Sequence, residues 1–267
     1  MRFLADKMKL APAQRAYIIF RKTIALVLFF AFWEIAPRVG IADHQFIPTL
    51  SEVLDTMWKL ILTGELFSHI SVSLWRALMG FLLAAAVAIP IGFLLGGWFK
   101  TLEEFINPLL KVLAQVNPFS VFPVIILLFG IGEVAKVAII FWVCIWPMIF
   151  NTVNGVRNID PLLIKAARAM GTPKFSMFWK VVLPGAAPTI FTGIKMGAGN
   201  SFFMLIAAEM IGATRGLGWL VLNSEINYQI KRLFAAVVTI AVLGILISNL
   251  IGLIEKKLII WKEESYV

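Results

Sequence analysis

The chain has 267 residues, 60% of them hydrophobic and only 15% charged, where soluble domains run at roughly half apolar and a quarter charged. That balance excludes a soluble enzyme. The formal net charge is +9, but the basic residues gather between long oily runs, as in membrane loops, so a lipid bilayer is the expected partner and nucleic acid is not.

The opening stretch, MRFLADKMKLAPAQRAYIIFRK, is basic and leads into an apolar run with no small-residue cleavage site after it. Residues 1–22 read as a cytoplasmic arm before a retained first helix. A hydrocarbon core about 30 Å thick takes about 20 largely uncharged residues, and about six runs qualify. The first is Thr23 to Pro37, with Glu34 inside it near an interface. Next comes TLSEVLDTMWKLILTG, where Thr49 and Glu52 have capping-box spacing and Val53, Leu54, Met57, Trp58, Ile61 and Leu62 share a face. It predicts an external helix lying along the interface and ending at Gly64.

Ala77 to Phe99 and Val112 to Gly132 are the second and third runs, the third broken by prolines in QVNPFSVFP. Gly130, Gly132 and Ala135 in FGIGEVA have dinucleotide-fingerprint spacing, but a membrane-length run, Val137 to Val156, follows instead of a soluble βαβ unit. The glycines read as a tight external turn before the fourth span. The fifth run, Pro188 to Ile211, contains Lys195, whose stem can snorkel to an interface. Gly212 to Arg232 reads as an external loop or short re-entrant piece before the sixth run, Leu233 to Ile254. With six spans most Lys and Arg fall on the side of the termini, which is therefore cytoplasmic. The expectation is one all-α polytopic membrane domain, with a cytoplasmic loop at 157–185 and tail at 257–267.

That loop holds KAARAMGTPKFSMFWKVVLP, Lys165 to Pro184. Asp160-Pro161 can start a helix, Asp as cap and Pro at the first helical position. Leu162, Leu163, Ala166, Ala167 and Met170 recur at helical spacing, and Gly171 suits the end. Thr172-Pro173 suggests a second helix started the same way, with Phe175, Phe178, Trp179 and Val182 as its stripe and Leu183-Pro184 as its close. Lys165, Arg168 and Lys174 are placed to meet an acidic surface.

This pattern resembles the signature loop of ABC importer permeases: Glu-Ala-Ala, three residues, Gly, nine residues, an aliphatic residue, one residue, Leu-Pro. Here Lys165-Ala166-Ala167, Gly171, Val181 and Leu183-Pro184 stand at that spacing, with Lys165 where the family usually has Glu. LWRALMGFLLAAAVAIPIGFLLG, NPFSVFPVIILLFGIGEVAKVAIIFW, IWPMIFNTVNGVRNID and TGIKMGAGNSFFMLIAAEMIGATRGLGWL extend the likeness to the nitrate, sulfonate and taurine branch, over Phe46 to Trp261.

The resemblance implies a type I ABC importer permease fold in a bacterial cytoplasmic (inner) membrane. It implies a homodimer of permeases, two ATP-binding cassette ATPase subunits and an external substrate-binding protein. The helix at Leu162 to Met170 is then the coupling helix, with Leu162, Leu163, Lys165, Ala166, Ala167, Met170, Gly171, Pro173, Leu183 and Pro184 forming the ATPase-coupling site. ATP and Mg belong to the partner ATPase; this chain has no GxxxxGK[ST] motif and is expected to hold no cofactor or metal and to catalyse nothing itself. The implied cargo is a small anion such as a sulfonate, taurine or nitrate, with a thiamine precursor or riboflavin-like ligand as the alternative.

Polar residues at membrane depth usually face a pathway or another helix. Asn117, Ser120, Asn200 and Ser201, with Met204 one turn on and Trp142 beside Trp146, are the candidates for lining the substrate pathway; Glu209 reads as a structural partner. A stand-alone secondary carrier is expected to show paired ionisable groups at the midplane or two half-chain repeats. A lone Cys144, and His44 and His69 far apart, supply neither a disulfide nor a catalytic or metal-binding constellation.

Overall fold

The computed structural model describes residues 12–259, which form helices and no strand. In chain order these are α1 (Pro12–Arg38), α2 (Leu50–Leu62), α3 (Glu65–Phe93), α4 (Lys100–Gln115), α5 (Pro118–Phe129) and α6 (Glu133–Arg157). Then come α7 (Pro161–Ala169), α8 (Lys174–Met177), α9 (Leu183–Met210), α10 (Leu217–Ile226) and α11 (Ile230–Leu258). Wide π turns at Leu94–Trp98 and Phe178–Val182 extend α3 and join α8 to α9.

Among the described residues four helices are long and apolar enough to cross a membrane: Glu65–Gly97, Glu133–Arg157, Lys174–Met210 and Ile230–Leu258. A bent pair, Thr101–Gln115 with Pro118–Phe129, makes a fifth crossing if it counts as one. The expected third span, Val112 to Gly132, is thus not one rod. Its two halves meet at 93°, because a residue before proline is pushed out of the α region. Asn117 has ψ 124 and caps α5 by accepting from Phe119 N at 2.9 Å. The expected first span lies within α1, whose Leu26, Val27, Leu28 and Phe29 are exposed. Glu34 is accommodated there because its carboxylate accepts from Ser51 N and Ser51 Oγ, both at 2.9 Å. Of the expected arm and tail, residues 1–11 and 260–267 lie outside the described residues; α1 has already begun at Pro12 and α11 continues to Leu258.

α6 is the central post. Its Ile139, Ile140, Cys144, Met148 and Ile149 pack against Ala77, Ala84 and Ala88 of α3 and against Met204, Leu205 and Ala208 of α9. In a bilayer such contacts rest on close packing rather than escape from water, so small residues decide where backbones can meet. A Cβ on Gly92 would stand 2.5 Å from Thr152 Cβ, and one on Gly193 2.8 Å from the Pro147 carbonyl oxygen.

At the end of the bundle where α2 leads into α3, α2 has the expected capping box at Thr49 and Glu52. Its packed face differs from the expected one. Val53 and Leu60 are buried, while Leu54, Trp58, Ile61 and Leu62 are exposed. The surface is oily enough to face lipid, so apolarity alone did not mark the inner side. Gly130 and Gly132 form the tight turn between α5 and α6, Gly130 at φ 76. The segment between the last two long helices folds as α10, with Leu217, Gly218, Leu220 and Ser224 buried.

Candidate functional site

Two places carry chemistry that the fold holds deliberately, one at each end of the bundle. At the first, the hairpin after α6, Asp160 accepts from Leu162 N at 2.8 Å and Pro161 opens α7. The helix closes with Gly171 N donating to Arg168 O at 3.0 Å and Thr172 N to Ala167 O at 3.1 Å, with Gly171 at φ 70. This double bond is the Schellman closure, which needs a left-handed residue at that glycine. Both ends of a nine-residue helix are therefore pinned, and it acts as a stiff unit.

The face expected to be shared divides in two. Ala167 is buried, and Ile164 half-buried beside it. Leu162, Leu163, Lys165, Ala166 and Met170 are exposed, with Phe175 and Trp179 exposed on the next turns. The hairpin rests on the bundle through Ile159, which packs with Phe93, Ala186 and Ile190, and through Phe178, edge-on to Phe93 at 5.1 Å. Two local expectations are corrected. Pro173 itself, not Thr172, stands at the cap of α8, with no side-chain cap bond. Leu183-Pro184 does not close a helix: the π turn carries α8 into α9, and Pro184 sits in the first turn of α9, where its missing N–H costs little.

The second place is a polar cluster near the ends of α3, α6 and α9 that lie away from the hairpin, here termed the outer end as the hairpin's is the inner. Glu209 is fully buried and accepts from Ser73 Oγ at 2.8 Å, Arg76 Nη1 at 2.7 Å and Gly218 N at 3.0 Å. Arg76, itself buried, forks onto Glu133 through Nε at 2.5 Å and Nη2 at 2.6 Å, and donates to the Arg215 carbonyl at 2.7 Å. Ser73 Oγ accepts from Leu217 N at 2.8 Å, and His69 Nδ1 from Gly216 N at 3.0 Å. Lys136 donates to the Gly212 carbonyl at 3.4 Å. Two-pronged Arg–carboxylate bonding is strong and directional, so the cluster clamps residues 212–218 onto three spans. The glycines fit the clamp: a Cβ on Gly216 would stand 2.4 Å from the Glu209 carboxyl, and one on Gly218 2.3 Å from the Ile206 carbonyl oxygen.

The sequence marks Glu209 as a structural partner but does not mark Arg76, Ser73 or Glu133. The expected second span starts at Ala77, just after Arg76, whereas α3 begins at Glu65. An arginine answered by two carboxylates can stay inside a span.

The pathway candidates scatter. Asn117, Ser120 and Asn200 are exposed, and Trp142 is half-buried, edge-on to Trp146 at 5.0 Å. Ser201 and Met204 are buried: Ser201 donates to the Ala198 carbonyl at 2.8 Å, and Met204 lies in the core beside α6. These two face α6, while Asn200, one residue away, faces out.

A capped, glycine-closed hairpin on a bundle of apolar helices is the arrangement that known proteins share with this chain. Residues 88–260 match the family described as the inner membrane component of binding-protein-dependent transport systems. This chain belongs to that family. The permease is 32% identical over 258 residues to the putative aliphatic sulfonates transport permease SsuC of Bacillus subtilis (strain 168), covering 97% of this chain and 93% of that one. It is 28% identical over 258 residues to the taurine transport system permease TauC of Escherichia coli (strain K12), covering 95% and 93%. With the nitrate import permease NrtB of Leptolyngbya laminosa it shares 31% over 217 residues, 78% of this chain and 77% of that one. Among solved structures it is similar to the MetNI methionine ABC transporter in inward-facing conformations, at TM-score 0.57 and 20% identity, covering 69% of this chain and 92% of that one. The fold of the permease is thus that of an ABC importer's transmembrane subunit, and its family serves transport systems that depend on a binding protein.

Proposed function

We propose that this permease imports a small organic anion of the sulfonate class. It works as one of two identical copies, driven by two cytoplasmic ATPase subunits and supplied by an external binding protein. The reading takes the membrane to be a bacterial cytoplasmic (inner) one, with both termini and the hairpin on the cytoplasmic side. The chain itself hydrolyses nothing; ATP and Mg act on the ATPase.

The observation that carries the coupling is α7. A helix locked at both ends presents Leu162, Leu163 and Met170 to the outside with Lys165 among them. An apolar patch rimmed by cations suits a groove with acidic edges. Pinned ends let such a helix pass on a rigid-body shift, which an open loop could not. Lys165 is exposed, so in this reading its contact is with the ATPase, and the partner carries an acid there. ATP supplies the free energy that favours one orientation of the spans; the helix only transmits it.

The substrate class rests on relatives named for sulfonates, taurine and nitrate. Proteoliposomes holding the permease and its ATPase, with the cognate binding protein outside, are expected to accumulate a sulfonate only when all parts and ATP are present. Uptake without the ATPase would replace this reading with that of a secondary carrier. A binding protein that selects a thiamine precursor or a riboflavin-like ligand would replace the substrate.

A further inference from the structure

We propose that the second half of the hairpin, α8 with the π turn Phe178–Val182, docks on anionic phospholipid headgroups through Lys174, Trp179 and Lys180. The hairpin then has two partners of different kinds: α7 meets a protein, and the turn after it meets the rim of the bilayer. The inference holds whatever the cargo is, and it can fail while the import reading stands.

The charge pattern points to an acidic partner. From Pro161 to Ala208 the chain holds no Asp or Glu, while Lys165, Arg168, Lys174, Lys180 and Lys195 all fall there. Lys174 and Lys180 are exposed, and among the described residues neither pairs with a carboxylate or donates a side-chain hydrogen bond. Cations held at the end of a span draw anionic headgroups.

Height decides which acidic partner it is. Phe178 meets Phe93 edge-on at 5.1 Å, and Phe93 lies about one turn before the end of the span Glu65–Gly97. The same small cluster contains Ile159, just past the end of the span Glu133–Arg157. The π turn is therefore level with the inner ends of two neighbouring spans, where hydrocarbon gives way to headgroups. Tryptophan is favoured at that height, with its ring body among acyl chains and its N–H among polar groups. Trp179 is 53% exposed, yet its ring is braced edge-on by Phe178 at 5.5 Å and Phe175 at 6.2 Å. It is a stiff aromatic surface that the bundle leaves open. A protein groove would have to climb to the level of Phe93 to cover it.

The lysines set the lipid class. A lysine can lay its methylene stem along the acyl boundary and leave its ammonium beside a phosphate. In phosphatidylcholine that phosphate is already answered by the lipid's own cation; in phosphatidylglycerol it is not. The anionic lipid is therefore the preferred occupant.

The permease assembled with its ATPase subunits is placed in phosphatidylcholine nanodiscs. Ser176→Cys, between the two lysines, carries a fluorophore; Cys144 is buried and stays unlabelled. Nitroxide-labelled phosphatidylglycerol is expected to quench it at lower lipid fractions than nitroxide-labelled phosphatidylcholine. Lys174→Gln and Lys180→Gln should each reduce that preference about fivefold, the weight of one lysine near a lipid surface. In a second measurement, a nitroxide on Trp179→Cys should be relaxed more by oxygen dissolved in the bilayer than by a water-borne nickel chelate. Equal quenching by the two lipids, a preference indifferent to both lysines, or a stronger effect of the chelate overturns the proposal. Quenching that appears only without the ATPase also overturns it, and gives the turn to the protein partner. The lysine variants keep Trp179, so they decide the matter even where Trp179→Cys fails to assemble.

Discussion

At the outer end of the bundle Glu209 is answered by Ser73, Arg76 and the Gly218 amide, and Arg76 by two carboxylates and a carbonyl. At the inner end Leu162, Leu163, Met170 and Phe175 face outward, uncovered by any described residue of the chain. The outer cluster is finished within one chain: its polar groups find partners there, so its job is to fix shape. The hairpin is finished only in shape. Its backbone bonds are complete, while its side chains are not, which is how a surface waiting for another subunit is built. Changes in the first region should therefore damage the fold, and changes in the second should damage assembly while leaving the fold alone.

The hardest blow to that contrast is Glu209→Ala. It leaves Arg76 buried beside one carboxylate instead of two, and breaking a buried ion pair from one side costs about 3–5 kcal/mol; a large fall in Tm in detergent is expected, and an unchanged Tm would show the cluster to be ornamental. Gly218→Val comes next, since its Cβ would press on the Ile206 backbone, and overpacking costs about 1–3 kcal/mol. The same thermal scan reads it.

Gly171→Val sharpens the contrast from the inner side. Nothing lies within 4 Å of a Cβ there, so the cost is backbone strain alone, about 1–2 kcal/mol for a left-handed residue. The expected signature is ATP hydrolysis that no longer drives uptake, with the bundle still folded. Leu163→Asp should shift stability by no more than about 0.5 kcal/mol, as exposed substitutions do, yet abolish co-purification with the ATPase. Retained co-purification would make the exposed face of α7 an ordinary solvated surface.

The smallest effect concerns Glu52. A hydrogen bond from Lys231, first among several causes, holds its carboxyl below the ordinary value of 4.5. A carboxylate whose pKa is lowered on folding stabilises the fold above its unfolded pKa and loses that contribution as pH falls through the folded one. The tie between α2 and α11 should therefore be intact at neutral pH and weaken only below about pH 4.5. Comparing the Tm of Glu52→Gln with that of the parent across acid pH checks the sign.

Local signals were legible in the sequence wherever a few adjacent residues settle the matter. Thr49 with Glu52, Asp160 with Pro161, and Gly171 each specify a helix end through bonds within five residues, and the structure has all three ends. The start of α3 was not legible. Arg76 looks like a boundary until Glu133 and Glu209 are brought to it across 57 and 133 residues of chain, and nothing in one dimension announces that meeting. The pathway side of α9 was hidden for another reason. In a membrane helix the face toward lipid and the face toward neighbours are both apolar, so periodicity cannot tell Asn200 from Ser201. Leu183-Pro184 misled because a proline usually marks an end, and here the π turn before it lets the helix run on.

That continuity has a mechanical meaning. Lys174–Met210 is a single piece of 37 residues, about 55 Å long at 1.5 Å per residue. Its inner tip belongs to the hairpin and its outer tip carries Glu209. Between them Gly193 and Gly197 press it directly against α6, like the pin of a seesaw. The contact point thus divides the rod into two arms, one ending at the hairpin and bearing the π turn at Phe178–Val182, the other ending at the turn at 212–218.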